Sequence, residues 1–125
     1  MAGNRVVVLA VDEGPKLPLV EGEGQARAVI WPGNGGNLRT LAIIDLVEGS
    51  STVRLSHPGE AVYYVETGQG NIECDDDSGE LREGAIVHID GGTGYEFHAG
   101  AGGVKLVGGP SPSDPSLYEG IEALQ

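Results

Sequence analysis

Short apolar runs with a two-residue beat, broken repeatedly by glycine and proline, set the pattern of this chain. Over Val53-Arg-Leu-Ser-His57, Val53, Leu55 and His57 fall on one face and Arg54 and Ser56 on the other. After Pro58-Gly59, Ala61, Tyr63 and Val65 resume the inner face. The spacing predicts a β-hairpin over 53–70, with a histidine where core residues belong.

The remaining pattern predicts more strands around this hairpin. Arg5 to Val11 and Ala26 to Trp31 read as strands, with an irregular surface segment between them carrying Gly14-Pro15, Pro18, Gly22 and Gly24. Leu38 to Val47 is a longer strand, and a short one starts at Asn71. Glu80 to Arg82, Ala85 to Ile89, Tyr95 to Ala99 and Val104 to Val107 complete the set. No amphipathic helical period occurs before residue 110. Closely spaced short strands without helices argue for an all-β, antiparallel sandwich or barrel rather than βαβ units. The tail, 110–125, changes character at Gly108-Gly109-Pro110-Ser111-Pro112. Asp114 as N-cap with Pro115 behind it permits a short helix over Ser116 to Leu124, and a loose terminus is the alternative.

Composition narrows the class. A chain of 125 residues suits one domain, 1–125, with one core. Its 22 glycines have no fixed period, which means turns and not collagen. Nineteen acidic against seven basic residues, a formal charge of -12, would repel a phosphate backbone or an anionic membrane surface. The apolar run Val6 to Val11 is far short of the roughly 20 residues of a membrane span, and a cytoplasmic protein is expected. The single cysteine, Cys74, has no disulfide partner within the chain and stands beside Glu73, Asp75, Asp76 and Asp77, whose charges disfavour its thiolate.

Two stretches, Gly49 through Gly70 and Gly84 through Ala99, resemble in order and spacing the two motifs of the small single-domain cupins. Tyr64-Val65-Glu66-Thr67-Gly68 matches the close of the first motif, and Gly84, Gly92 and Thr93 hold their places in the second. The resemblance implies a double-sheeted β-barrel of the jelly-roll type. It also implies positions for four metal ligands, at which this chain carries Leu55, His57, Ala61 and Tyr95, while Asp90 replaces a motif proline. One ligand of four does not hold a first-row metal. The expectation is therefore no metal and no cofactor. A relocated site built from His57, His88 and His98 is the alternative; for His88 and His98 an interface or surface role is favoured.

His57, Tyr63 and Tyr95 share the expected inner face, so an imidazole of reference pKa near 6.5 and two phenols of pKa near 10 could move a proton without a metal. They are the catalytic candidates; the competing reading is a satisfied core histidine among ordinary strand tyrosines. Arg39, His88, Phe97 and Trp31 are the substrate-binding candidates, although core is favoured for Trp31 and Arg39 reads equally as the partner of a surface carboxylate. The spacing of Asp75, Asp77 and Gly79 lacks the length and distal glutamate of a calcium loop and reads as a solvated turn. The reading is proton-transfer chemistry on a small organic molecule, an isomerisation, dehydration or cyclisation, with the cupin-like sugar-nucleotide epimerases as analogy. A non-catalytic binding module is the rival. Apolar residues on both faces of Ala85 to Ile89 and of Leu38 to Val47 suggest a homodimer, and no nucleic-acid or membrane partner is expected.

Overall fold

The computed structural model describes residues 6, 8–36 and 38–118. Nine strands make one strongly bent antiparallel sheet that nearly closes into a barrel: β1 (Lys16–Leu17), β2 (Val20–Glu21), β3 (Gly24–Ile30), β4 (Leu41–Leu46), β5 (Ser51–Thr52), β6 (Glu60–Cys74), β7 (Ser78–Arg82), β8 (Ile86–Ile89) and β9 (Tyr95–Ser111). The all-β antiparallel expectation therefore holds. β6 and β9 form its spine, paired from Glu60↔Ser111 to Cys74↔Tyr95. On the far side of β6, β8 pairs with its first half and β7 with its second. β9 passes in turn beside β5 and then β4, and β3 and β1 follow outward.

Period-two patterning decides what each strand buries. Ala42, Ile44 and Leu46 of β4, Ala61, Tyr63 and Val65 of β6, and Tyr95, Phe97 and Ala99 of β9 enter a common core with Leu55, Leu81 and Leu106. The outer face of the β6–β8 pair is less covered: Val62 is 39% exposed, Tyr64 45% and Ile86 71%. Among the described residues, no helix is long and apolar enough to cross a membrane.

The structure departs from four local expectations. The two arms around Pro58-Gly59 face inward as expected, but they do not pair with each other. Leu55 bridges Tyr95, and β9 occupies the edge of β6 that a hairpin arm would need. Val6 and Val8 are exposed and Val11–Glu13 is a 3₁₀ turn, because β1 takes the edge of β3 that an N-terminal strand would have sought; residues 1–5 and 7 lie outside the description. The segment after it is no mere surface wrap, since Leu17 and Leu19 reach the core. In the tail, Pro115–Tyr118 is a 3₁₀ turn, and the rest of the expected helix lies outside the described residues.

β6 can serve both halves of the barrel only by bending, and its pairing with β9 shifts register at Val65/Thr67 and again at Gly68/Gly70. Gly68 has a φ of 88°, a left-handed conformation suited to glycine. At Gly70 the constraint is contact, since a Cβ there would stand 2.0 Å from the His98 carbonyl oxygen. Gly70→Ala should therefore lower stability by roughly 1–3 kcal/mol, the usual cost of overpacking. Gly79→Ala, where the nearest atom is an Ile72 methyl at 3.5 Å, should stay within about 0.5 kcal/mol of wild type. Chemical denaturation of both variants checks the contrast.

Candidate functional site

His57 lies on the irregular arm between β5 and β6, and its place is fixed from both directions. Its carbonyl accepts the Gly92 N–H at 2.7 Å. Gly59 and Gly91 allow the neighbouring chain to close in: a Cβ on Gly59 would stand 2.4 Å from the Ser111 carbonyl oxygen, and one on Gly91 2.5 Å from that of Pro58. The imidazole is thereby held inside, 2% exposed, against the start of β9 and the C-terminal segment.

Four side chains form an unbroken buried hydrogen-bonded chain there. Asp114 Oδ2 stands 2.6 Å from His57 Nδ1, His57 Nε2 2.7 Å from the Tyr95 hydroxyl, and the Tyr95 hydroxyl 2.7 Å from that of Tyr63. The rings pack edge to face, with Tyr63 and Phe97 centroids 4.8 Å apart and those of Tyr95 and Phe97 5.5 Å apart. The structure thus brings His57, Tyr63 and Tyr95 together, with Phe97 as their apolar wall.

The sequence marks Asp114 only as a helix cap. It does cap: Oδ1 accepts the Ser116 N–H at 3.0 Å, and its carbonyl accepts that of Leu117. A carboxylate has a second oxygen, however, and here it binds the histidine. Asp114 sits on a segment docked by further contacts, since Thr40, Ser113 and Tyr118 join their hydroxyls and the Tyr118 ring packs on Trp31 at 5.2 Å. Nothing local in the sequence marks that 57-residue reach.

Electrostatics orders the chain of donors. Burial pushes the Asp114 carboxyl upward, but hydrogen bonds from His57 and Ser116 outweigh it and hold the group below its ordinary range. An ionised carboxylate only accepts, so Nδ1 carries the ring proton. In a neutral ring, Nε2 then accepts from Tyr95 O–H, whose oxygen is free to accept from Tyr63 O–H. Burial raises the Tyr63 phenol to about 12. It raises Tyr95 further still, helped by Tyr63 and the Asp114 charge. Both tyrosines are held neutral at ordinary pH.

The other candidates lie apart from this chain. Arg39 is exposed, and Trp31 belongs to the Tyr118 contact. His88 is 54% exposed with Nε2 3.2 Å from Glu60, away from the buried chain but among the residues that line the depression described below. His98 is on the outer face of β9, so the three histidines do not converge. Arg54 pairs with Asp75 and Glu96, as its outward placement implied. Among the described residues, no hydrogen bond or ring contact joins Arg39, His88 or Trp31 to the buried chain.

A depression of about 270 Å³ opens on the concave side of β6, β7 and β8. Ile72, Cys74, Val87 and Ile89 form its apolar floor, and Asp77, Asp90 and Thr93 are among its polar walls. Cys74 and Val87 are the cross-strand partners of Tyr95 and Tyr63, so the depression lies one residue layer from the tyrosines. Burial first, then the Asp77 charge, pushes the Cys74 thiol up, which leaves it a poor nucleophile.

The described strands define a small bent antiparallel β-barrel with a polar chain inside and a depression at its side. The Cupin domain family model matches residues 42–107, just over half of the chain, and the protein belongs to the cupin family. No curated protein matches it in sequence. Among solved structures it is similar to the polyketide cyclase RemF from Streptomyces resistomycificus, at 18% identity and a TM-score of 0.73 over 89% of this chain and 82% of that one. Ectoine synthase from P. lautus is similar at 15% identity and 0.71, over 94% and 86%. A predicted oxalate decarboxylase from Thermotoga maritima matches at 19% and 0.68, over 82% and 96%.

The metal site that cupin motifs imply does not fit the residues here. Leu55 and Ala61 offer no donor, and both ring nitrogens of His57 are already engaged.

The Asp114–His57 pair predicts a pH signature. A carboxyl whose folded pKa lies below its unfolded value contributes stability above the unfolded value and loses it as pH falls through the folded one. Asp114→Asn has one oxygen where the carboxylate has two: with that oxygen on the Ser116 N–H, an amide N–H faces the His57 Nδ1 proton, so the variant loses the acceptor for His57 and should cost about 1–3 kcal/mol at pH 7. The gap between variant and wild type should narrow as pH falls from 3.8, the ordinary value of the carboxyl, through the lower folded value. Urea unfolding across that range measures it.

Proposed function

We propose that this cupin is a metal-independent enzyme that moves a proton on a small organic molecule bound in the depression beside Cys74 and Val87, as in an isomerisation, dehydration or cyclisation. The carrying observation is the directed chain Tyr63 O–H, Tyr95 O–H, His57 Nε2, with Asp114 fixing the other ring nitrogen. Tyr63 ends it beside its cross-strand partner Val87, which lines the depression: it donates to Tyr95 and keeps lone pairs free to receive a substrate proton.

As that proton arrives at Tyr63 oxygen, the Tyr63 proton passes to Tyr95 and the Tyr95 proton to His57 Nε2. The resulting imidazolium lies against the Asp114 carboxylate, which stabilises it. Reversal returns a proton to the substrate, so one relay serves as base and then as acid. The tyrosines conduct rather than ionise, in keeping with their raised pKa values. Asp77 and Asp90 on the rim disfavour anions, which leaves neutral or cationic substrates. That the cupin fold is shared with a polyketide cyclase and an ectoine synthase supports an enzyme by analogy.

A specific observation favours the rival, a non-catalytic binding module. Tyr95 is 0% exposed, Tyr63 3% and His57 4%, so the polar chain is closed over by side chains and could serve only to anchor the tail. The two readings part on chemistry. The protein is incubated in deuterium oxide with a panel of neutral and cationic carbonyl compounds, and deuterium incorporation is followed by mass spectrometry. Tyr63→Phe removes the end of the relay and leaves the Tyr95–His57 bond intact; an enzyme should lose roughly 100-fold or more in exchange rate. His57→Gln should do the same. A binding module would show no exchange in wild type, and Tyr63→Phe would weaken its ligand about tenfold or less.

A further inference from the structure

The outer face of the β6–β9 seam carries a group of side chains that the proton relay does not use. Glu96 and His98 are two residues apart on β9 and so project on one face, opposite to Tyr95 and Phe97. Glu73 is the direct cross-strand partner of Glu96, which places it on that same outer face. The two carboxylates and the imidazole each offer a ligand atom, and those atoms lie within 4.8 Å of one another.

Their spacing is unsatisfying as hydrogen bonding. His98 Nε2 stands 3.6 Å from Glu73 Oε2 and 4.0 Å from Glu96 Oε1, both too long for a bond. Among the described residues it is the one buried side-chain polar atom without a hydrogen-bond partner. Ligand atoms around a tetrahedral zinc at about 2.1 Å stand roughly 3.4 Å apart. The observed separations are a little wider than that, as they would be around a point that a cation would draw inward. Arg54 Nη1 donates at 3.3 Å to Glu96 Oε1, the oxygen that also faces His98, and so orients the carboxylate while its second oxygen keeps its lone pairs.

We propose that Glu73, Glu96 and His98 form a zinc-type divalent-metal site on the outside of the barrel. An imidazole with two carboxylates suits a borderline first-row ion, not magnesium. Three protein ligands leave a further position for water or an external donor. The site clamps β6 to β9 where Cys74 and Tyr95 pair, and it is separate from the inner positions at which cupin motifs place a metal.

The test titrates zinc into full-length protein stripped with a chelator, at neutral pH, by calorimetry and by thermal melting. One zinc per chain should bind and raise the melting temperature, and magnesium at the same concentration should do neither. His98→Gln and Glu73→Gln should each weaken zinc binding by at least about 100-fold, the upper end of what losing an outer-shell partner costs. Both should melt like wild type in chelator; Glu73 is 54% exposed, so its variant reads the result even if His98→Gln folds poorly. His88→Asn should bind as wild type does. No binding at millimolar zinc, equal binding of magnesium, undiminished affinity in Glu73→Gln, or a loss that follows His88→Asn instead would each overturn the assignment.

Discussion

The buried bond between His57 and Asp114 is the interaction on which the interior depends. A carboxylate and an imidazole removed from water each lose solvation, and removing one partner of such a pair leaves the other as an uncompensated buried group. Each is therefore committed to the other. Because Asp114 is outside the strands and His57 is on an irregular arm, their bond ties together two segments that sheet hydrogen bonding does not hold. The arm is pinned by Gly92 and the tail by the Thr40, Ser113 and Tyr118 hydroxyls. The same bond sets the ring tautomer, which sets the direction of every hydrogen bond as far as Tyr63.

The sheet makes that bond possible through two unusually long strands. β6 and β9 pair along nearly their whole length, and their register shifts allow each to serve both halves of the barrel. Tyr63 and Tyr95 sit on opposite sides of those shifts, one near the start of β6 and the other at the start of β9. Their hydroxyls meet across the core because the strands bend, not because the residues are paired; the partner of Tyr95 is Cys74 and that of Tyr63 is Gly108 on β9. A flat sheet would hold the two phenols apart.

Much of this was legible in the sequence where the signal was periodic. Alternation placed Leu55, His57, Ala61, Tyr63 and Val65 on one face, and the glycine pattern of the cupin motifs carried the fold. Pairing was harder to read, because inward-facing arms around a Pro-Gly turn look alike whether they pair with each other or with a third strand. Val6 to Val11 shows the same limit: apolar β-branched residues announce strand propensity, but an edge must be free to receive them. Asp114 was out of reach for another reason. Its capping geometry accounts for one carboxylate oxygen, and only the fold reveals what the second one binds.

The alternation that builds the core also separates the chemistry of the two faces of β9. Tyr95 and Phe97 enter the interior, where burial raises the Tyr95 and Tyr63 phenol pKa values and keeps the hydroxyls neutral. Glu96 and His98, one residue out of phase, stand on the outer face beside Glu73, where water lowers the cost of charge. A single strand thus presents groups that must stay uncharged on one side and groups suited to a cation on the other. The backbone between them is held rigid by β6 on one flank and β5 on the other. Glu96, His98 and Tyr95 therefore share one stretch of backbone, set by the same strand pairings, while their side chains lie on opposite faces.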